Sequence, residues 1–418
     1  MISEEEARAK ILESIQALPA RDLSLANALN HFAAEDVTAR HPLPVFDNSA
    51  MDGYAIIAGS GQRFHVVGEQ PAGLDRQLRV AAGEAVRIFT GAPIPIGADT
   101  VVMQEDVTRE GDDIVVNAKI DIGDFIRRRG CDLSVGQKIL RRGERLNPTT
   151  VALLAGQGFT DARVGGEASA AVLSTGDELT KPGEPLEPGQ IYESNSVLLA
   201  ALLKGAGATV NSIEHCCDDL DRLVDAIKRG AQQRLLIISG GVSVGAHDFV
   251  QRALQSLGAR IDLWRVAIKP GKPFLYARIP RTQNGRPFSS PSGRGGREAP
   301  GEGSPVHREE SIVFGLPGNP VSSFVTFLRF VRPALWKLMG ASQLDAPKIT
   351  ARLMADLSNN DAKRPHYVRG RFENGTFAPV GRQESHALFG LSQSNALLPI
   401  PAGAEIKRGA EVEIEVWD

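Results

Sequence analysis

Ser3 and Glu6 stand at capping-box spacing, and Ile11, Leu12, Ile15 and Leu18 follow on one helical stripe, so the chain is expected to open on a helix. A second short helix is expected from Leu25 to Phe32, and Pro42 and Pro44 then force an extended segment. From about residue 45 to 170 the pattern turns to short β-rich runs, RFHVVG, AVRIFT, TVVMQEDV and IVVN, separated by Gly, Pro and Asp turns. One break in it, NPTTVALLAGQG, reads as a helix with Pro148 in its first turn.

Residues 169 to 340 alternate strand and helix. AAVLS, TVNSIEHC, RLLIIS and IDLWRVAI read as strands, with helices at SNSVLLAALLKGAG, DRLVDAIKRGAQ and HDFVQRALQSLG, and a long helix from about Val321 to Met339 follows IVFGL. Near-continuous apolar strands joined by helical crossovers imply a parallel sheet covered on both faces. The final stretch returns to short strands ending in AEVEIEVW. The expected fold class is multidomain α/β plus β: a central, wound, mostly parallel α/β domain, β-rich sequence before it and a small C-terminal β-barrel-like domain. The expected boundaries are 1–44 with 136–168 (N-terminal helical and linker), 45–135 (β-rich), 169–340 (α/β) and 341–418 (C-terminal β).

At 418 residues the chain has room for several cores, and 42% hydrophobic with 23% charged residues is ordinary for a globular protein. A net charge of -3 gives no basic bias of the kind nucleic-acid or membrane binding needs, so neither partner is expected. An anionic substrate would then be met by a few placed cations. The start, MISEEEARAK, is acidic where a signal peptide is basic, no apolar run approaches the ~20 residues of a membrane span, and the three cysteines suit a reducing compartment; the expected location is cytoplasmic. Residues 280 to 311 are mostly Gly, Pro, Ser and Arg and are expected to be a disordered insertion within the α/β domain.

Several turns carry candidate chemistry. The loop Ser239-Gly240-Gly241-Val242-Ser243 and onward to Asp248 follows a buried strand, where backbone N–H groups and a helix N-terminus can face an anion. The same loop matches the G-x-S-x-G elbow of hydrolases, with Ser243 as nucleophile and His366 or His386 as base, although the helix begins later than an elbow requires. Ser174-Thr175-Gly176-Asp177-Glu178 and Gly315-Leu316-Pro317-Gly318-Asn319-Pro320 are similar strand-end turns. Each could be simple capping, yet three at ends of one sheet would converge on a single crevice. Lys269 and Lys272 sit in a turn stiffened by Pro270 and Pro273, a frame suited to phosphate or an oxyanion. Asp52 before Gly53, and Thr90 before Gly91, suit sharp turns that present polar groups. No P-loop, dinucleotide fingerprint, H-E-x-x-H or CxxC pair occurs, and the carboxylates Asp177, Glu178, Asp218, Asp219 and Asp248 point to a hard cation.

The stretches LPVFDNSAMDGYA, TGAPIPIGADTVVMQEDV, IRRRGCDLSVGQ, STGDEL, QIYESNS, SGGVSVGAHDF, VAIKPGKPF and FGLPGNPVS together resemble the molybdopterin molybdenumtransferase family, which includes the E domain of gephyrin. The resemblance spans residues 43 to 322 most clearly. It implies a four-part elongated homodimer with its site at the subunit interface, and a reaction in which adenylylated molybdopterin and molybdate give molybdenum cofactor and AMP, assisted by Mg²⁺. It implies catalytic parts for Asp52, Thr90, Asp132, Glu178, Asp218 and Asp248, with Mg²⁺ on Glu178, Asp218 and Asp248. Substrate binding would fall to Ser239, Gly240, Gly241, Ser243, Lys269, Lys272, Pro317, Gly318 and Asn319, and to Arg369 (or Arg364) and Ser385 of the last domain. Molybdopterin adenylyltransferase and acceptor molybdoenzymes are the candidate protein partners.

The sequence departs from the family pattern at Cys131 and Ala246, where acids are usual, and in the insertion after the lysine turn. Three other functions are weighed: a serine hydrolase, which a fluorophosphonate would label at Ser243; a non-catalytic scaffold, against which Asp52 and Lys272 argue; and molybdopterin adenylylation, against which the β-rich and C-terminal regions argue.

Overall fold

The computed structural model describes residues 1–241, 249–283, 286–287 and 310–417. Contacts divide the chain into two compact units, Glu35–Arg141 with Pro148–Thr160, and Met1–Ala34 with Arg142–Asn147 and Asp161–Asp418. Among the described residues no helix is long and apolar enough to cross a membrane.

The smaller unit is built on a six-stranded sheet in the order Thr100–Met103, Gly53–Ile56, Glu84–Ile88, Arg63–Gln70, Asp113–Val116, Val107–Glu110. Tyr54, Ile56, Phe64, Val102, Ile114 and Val116 form its core, the alternate positions that short amphipathic strands turn inward. The helix Pro148–Gly156 begins on its proline as expected. Next to it, Oε1 of buried Gln157 accepts the N–H groups of Arg40 (2.8 Å) and His41 (3.0 Å), tying down the segment before the two prolines.

In the larger unit, helix α1 (Glu4–Glu13) starts with the expected capping box. The helix expected over Leu25–Phe32 is absent. Arg21–Ser24 is a strand paired antiparallel with Asp161–Val164, only a 3₁₀ turn forms at Leu25–Asn27, and Asn30 at φ 67° turns the backbone out of helical space. The central sheet uses β1 (Ser169–Thr175), β2 (Thr209–Cys216), β3 (Leu235–Ser239), β4 (Arg260–Trp264), β5 (Leu275–Pro280) and β6 (Glu310–Leu316) in the order β2-β1-β3-β6-β5-β4. The pairs β1/β2, β1/β3 and β3/β6 are parallel, whereas β5/β6 and β4/β5 are antiparallel. The antiparallel edge has a local cause: no helix separates β4 from β5, so the chain must double back. The strand expected to run through IDLWRVAI stops at Trp264, because Arg265 takes φ 64°.

Burial on both faces explains the uninterrupted apolar strands. Val172, Leu235 and Ile237 point into one core with α1, helix α2 (Asn195–Gly205) and the long helix, while Ala171, Leu173, Leu236 and Ile238 point into another with helices α3 (Leu220–Gly230) and α4 (Phe249–Ser256). The long helix runs as α5 (Pro320–Thr326), a π-helical segment Phe327–Val331 and α6 (Arg332–Leu338). Pro333 cannot donate to the carbonyl of Arg329, which accounts for the break in the α pattern there. The ends of the expected insertion are strand instead: Pro280 pairs with Glu310, and Thr282–Gln283 with Arg286–Pro287. Residues 284–285 and 288–309 lie outside the described residues, as do Ser243, Ala246 and Asp248.

The C-terminal strands β7 (Lys348–Leu353), β8 (His366–Glu373), β9 (Thr376–Pro379), β10 (Ala396–Ile400) and β11 (Glu411–Val416) close a five-stranded barrel around Leu353, Val368, Phe377, Leu398 and Ile414. Within this unit one buried cluster joins α1, the long helix and the barrel. Arg329 donates to Glu4 at 2.6 Å and to Glu415, and the Tyr367 hydroxyl donates to both Glu4 oxygens at 2.7 and 2.8 Å.

Candidate active site

Parallel strands β1, β2, β3 and β6 end on the same side of the sheet, so the turns that follow them meet there. They surround a cavity of about 520 Å³ lined by Thr175 at the end of β1 with Gly176 and Glu178 after it, Asp218 after β2, Gly240 and Gly241 after β3, and Pro317, Gly318 and Asn319 after β6. Ser239 lines it from the last residue of β3. Backbone closeness requires glycine: Gly240 is at φ 93°, and a Cβ on it would lie 2.4 Å from the Thr175 carbonyl oxygen. The Gly240 N–H donates to the Leu316 carbonyl at 3.1 Å, so that donor serves the sheet end and not an anion.

Side chains lock these turns together. Thr175 Oγ1 donates to Asp218 Oδ1 at 2.7 Å, and the Asp218 N–H donates to Asp177 Oδ1 at 3.0 Å. This leaves Asp218 Oδ2 and the Glu178 carboxylate on the cavity wall. At the start of α2, buried Asn195 donates to Ser239 Oγ at 2.9 Å and to the Gly318 carbonyl at 2.6 Å, bridging the turns after β3 and β6. Glu193 accepts both the N–H (2.8 Å) and the hydroxyl of Ser196, fixing the entry to that helix. Asn195, Glu193 and Tyr192 line the cavity but were not singled out from sequence. An Asn or Glu at a helix start reads first as a cap, and QIYESNS drew notice only through its resemblance.

The last domain reaches the same cavity through His386 and Leu388. Ser385 is tied to it, its Oγ accepting from Asn319 Nδ2 at 2.9 Å and its carbonyl from the Val321 N–H at 3.1 Å. Arg369 is elsewhere: it is 1% exposed on the outer face of the barrel, on the side of Tyr367 and Leu397, its guanidinium donates to the Arg382 carbonyl, and its N–H donates to Gln383 Oε1 at 3.0 Å. It anchors the loop that carries Ser385 and His386 and is not a cavity-lining residue. Arg364 is paired with Asp361, its Nε donating at 2.7 Å.

Lys272 is exposed and Lys269 half-buried, and Pro273 of their turn lines the cavity. Among the described residues no ion pair engages either ammonium. The turn packs along β8, where Lys269 N donates to the Pro365 carbonyl at 3.0 Å and Tyr367 N to the Lys269 carbonyl at 2.8 Å. Between them His366 is buried, and its Nδ1 has no partner among the described residues. Burial first, then the charges of Lys269, Arg369 and Arg364, push its imidazole from the ordinary 6.5 down to about 4, with Asp361 opposing. The folded chain therefore refuses a proton that the unfolded chain accepts below 6.5, so stability is complete above 6.5 and is lost as pH falls towards about 4. Thermal midpoints measured across that window should fall more steeply for the wild type than for His366→Phe; parallel curves would refute this assignment.

In the smaller unit, Asp52 precedes strand Gly53–Ile56 and Thr90 follows strand Glu84–Ile88. Asp52 Oδ1 accepts the Thr90 N–H and hydroxyl, both at 2.7 Å, and these bonds hold the carboxyl below its usual range. Asp132 is exposed, and its N–H donates to the Leu43 carbonyl at 3.0 Å. The expected residues thus fall into two groups, Asp52 and Thr90 bonded to each other in one unit, and the sheet-end loops gathered in the other.

Three family models match in chain order: MoeA N-terminal region (domain I and II) over residues 2–158, probable molybdopterin binding domain over 171–337, and MoeA C-terminal region (domain IV) over 350–417. The chain is 33% identical to a molybdopterin molybdenumtransferase of Haemophilus influenzae, over 100% of this chain and 99% of that one. It is 34% identical to molybdopterin molybdenumtransferase 2 of Mycobacterium tuberculosis, over 100% of each. The fold resembles the crystal structure of the molybdopterin biosynthesis moeA protein from Pyrococcus horikoshii OT3, with a TM-score of 0.75 and 28% identity over 100% of both chains. With end-to-end likeness of this kind, and the three-part order of its family matches, the chain belongs to the molybdopterin molybdenumtransferase family.

Proposed function

We propose that this chain is a transferase that cleaves adenylylated molybdopterin and places molybdenum from molybdate on the pterin, releasing AMP. The observation that carries the proposal is the cavity of about 520 Å³ at the carboxyl ends of β1, β2, β3 and β6, where glycine-rich turns and two carboxylates meet. Its size suits a phosphorylated ring compound, and its placement suits a phosphoanhydride.

Mg²⁺ fits the donor set. Among the described residues there is no cluster of three metal-ligating side chains, but Mg²⁺ is commonly held by one or two carboxylates together with substrate phosphates. Glu178 and the open oxygen of Asp218 supply two hard oxygens on one wall, and Asp248, outside the described residues, is the proposed third. When bound there, the ion would offset negative charge on the phosphoanhydride.

The chain's own residues do the positioning. Asn195 sets the spacing of the turns after β3 and β6, Thr175 orients Asp218, and Ser385 with Asn319 closes the far edge. Lys269 and Lys272 bring positive charge for molybdate or phosphate, acting as point charges on a stiff turn. Asp52, ionised and aimed by Thr90, is the proposed proton acceptor or cation-orienting group, and Asp132 is assigned an active-site part with it. Arg369 acts through the loop it anchors. A homodimer, a reducing cytoplasmic setting, and molybdopterin adenylyltransferase and acceptor molybdoenzymes as partners complete the proposal.

Purified protein incubated with adenylylated molybdopterin and molybdate, with and without Mg²⁺, should form AMP and pterin-bound molybdenum in equal amounts. Intact adenylylated pterin after incubation of folded protein with Mg²⁺ would overturn the reading. Asn195→Ala should raise KM for the adenylylated pterin and lower kcat by about tenfold, since misplacing two turns costs on the order of the bonds lost. Kinetics indistinguishable from wild type would show that the bridge does not position substrate.

A further inference from the structure

Adjacent cysteines stand at the end of β2, Cys216 as its last residue, packed in the core with Leu223 and Ile238, and Cys217 just after it. Cys216 is buried and its Sγ donates to the Cys217 carbonyl at 3.3 Å, while Cys217 is half-buried with Arg222 Nη1 3.6 Å from its sulfur. Both line a second cavity, of about 240 Å³, whose remaining wall includes His215, Arg222 and the ion pair Glu214–Arg229. A small polar reagent therefore has room to approach Cys217 from this cavity, beside a guanidinium that can offset charge on a departing oxygen, with Cys216 next to it on the wall.

We infer that Cys216 and Cys217 form a dithiol that hydroperoxides oxidise to a disulfide between neighbouring residues. In the first step the Cys217 sulfur bonds to one peroxide oxygen, the O–O bond breaks, and the other oxygen leaves as an alcohol or water with the thiol proton. In the second the Cys216 sulfur attacks the Cys217 sulfenic acid; the S–S bond forms, the S–O bond breaks, and the hydroxyl leaves as water with the Cys216 proton. Two electrons pass from the thiols to the peroxide. Neighbouring Cα atoms are about 3.8 Å apart, below the roughly 4.4–6.8 Å usual for disulfides, so the ring is strained and easily reduced. Closing it reshapes the Cys216–Cys217 peptide, one residue before Asp218, whose carboxylate is held by Thr175 and whose N–H is held by Asp177. Oxidation is thereby coupled to the main cavity, a consequence that rests on the proposed reaction.

The test is to treat the intact protein with hydrogen peroxide, block remaining thiols with N-ethylmaleimide and weigh the peptides. The peptide holding both cysteines should be lighter by two hydrogens and unblocked, and dithiothreitol should restore both thiols. Cys216→Ser should leave Cys217 as a sulfenic acid that dimedone captures, and Cys217→Ser should give neither product. Full blocking of Cys216 and Cys217 under peroxide that oxidises exposed Cys131 would overturn the assignment, as would dimedone on Cys131 alone in Cys216→Ser. AMP release by the oxidised wild type should fall and return on reduction, while Cys217→Ser stays unchanged under peroxide. A ring formed without that fall would overturn the coupling, and absence of AMP from the untreated enzyme would count against the proposed reaction, leaving the masses to judge the ring.

Discussion

Asp218→Ala is expected to lower AMP release by about 10²–10³-fold, the usual cost of removing one group that stabilises charge developing in a reaction. The side chain is exposed on the cavity wall, so the thermal midpoint should stay close to wild type. Asp218→Asn separates its two jobs. The amide oxygen can still accept from Thr175, which holds Oδ1 at 2.7 Å in the wild type, but the negative charge is gone. If charge is what matters, Asn should be nearly as slow as Ala; if orientation of the turn matters, Asn should recover most of the rate. Glu178→Gln should need more Mg²⁺ for its half-maximal rate, because half of the described donor pair has lost its charge. Rates for Asp218→Ala within a few-fold of wild type would remove Asp218 from the site.

The convergence behind that expectation was legible in the sequence because strand ends leave strong signals. STGDEL, SGG and GLPGNP each follow a run of apolar residues buried on both faces, and three parallel strands must carry their following turns to one side. The roles of Asp52 and Thr90 came from resemblance; the structure adds their two mutual hydrogen bonds. Local rules failed where longer-range pairing competes. Leu25–Phe32 has helical spacing, but pairing of Arg21–Ser24 with Asp161–Val164 sets the path of the chain there. Arg369 was expected at an oxyanion pocket from its motif alone, and motifs do not show which way a strand residue points. Its partner on the neighbouring strand is Leu397, both alternate with the barrel-core residues Val368 and Leu398 and so face out of the barrel, and its charge serves a loop. Asn195 was missed for the opposite reason, since one residue gave no sign that its amide would bridge two turns far away in sequence.

Arg329→Met is expected to cost about 3–5 kcal/mol of stability in the larger unit, the range for breaking a buried ion pair from one side. Glu4 is 4% exposed and Glu415 8%, so removing the guanidinium leaves two carboxylates in a site with little water. Tyr367 softens this only in part. Burial and the charge of Glu4 keep its hydroxyl protonated, and it already donates to both Glu4 oxygens. Arg332 is near Glu415 but does not replace Arg329, since its Nε has no partner among the described residues. The triple variant Arg329→Met, Glu4→Gln, Glu415→Gln should regain most of the loss, because it removes the charges together with their partner. Urea midpoints of the single and triple variants decide the matter. Equal midpoints for Arg329→Met and wild type would mean that α1 and the barrel are held to the long helix by apolar packing alone. Recovery in the triple variant would show that much of the cost of the single change lies in stranded charge.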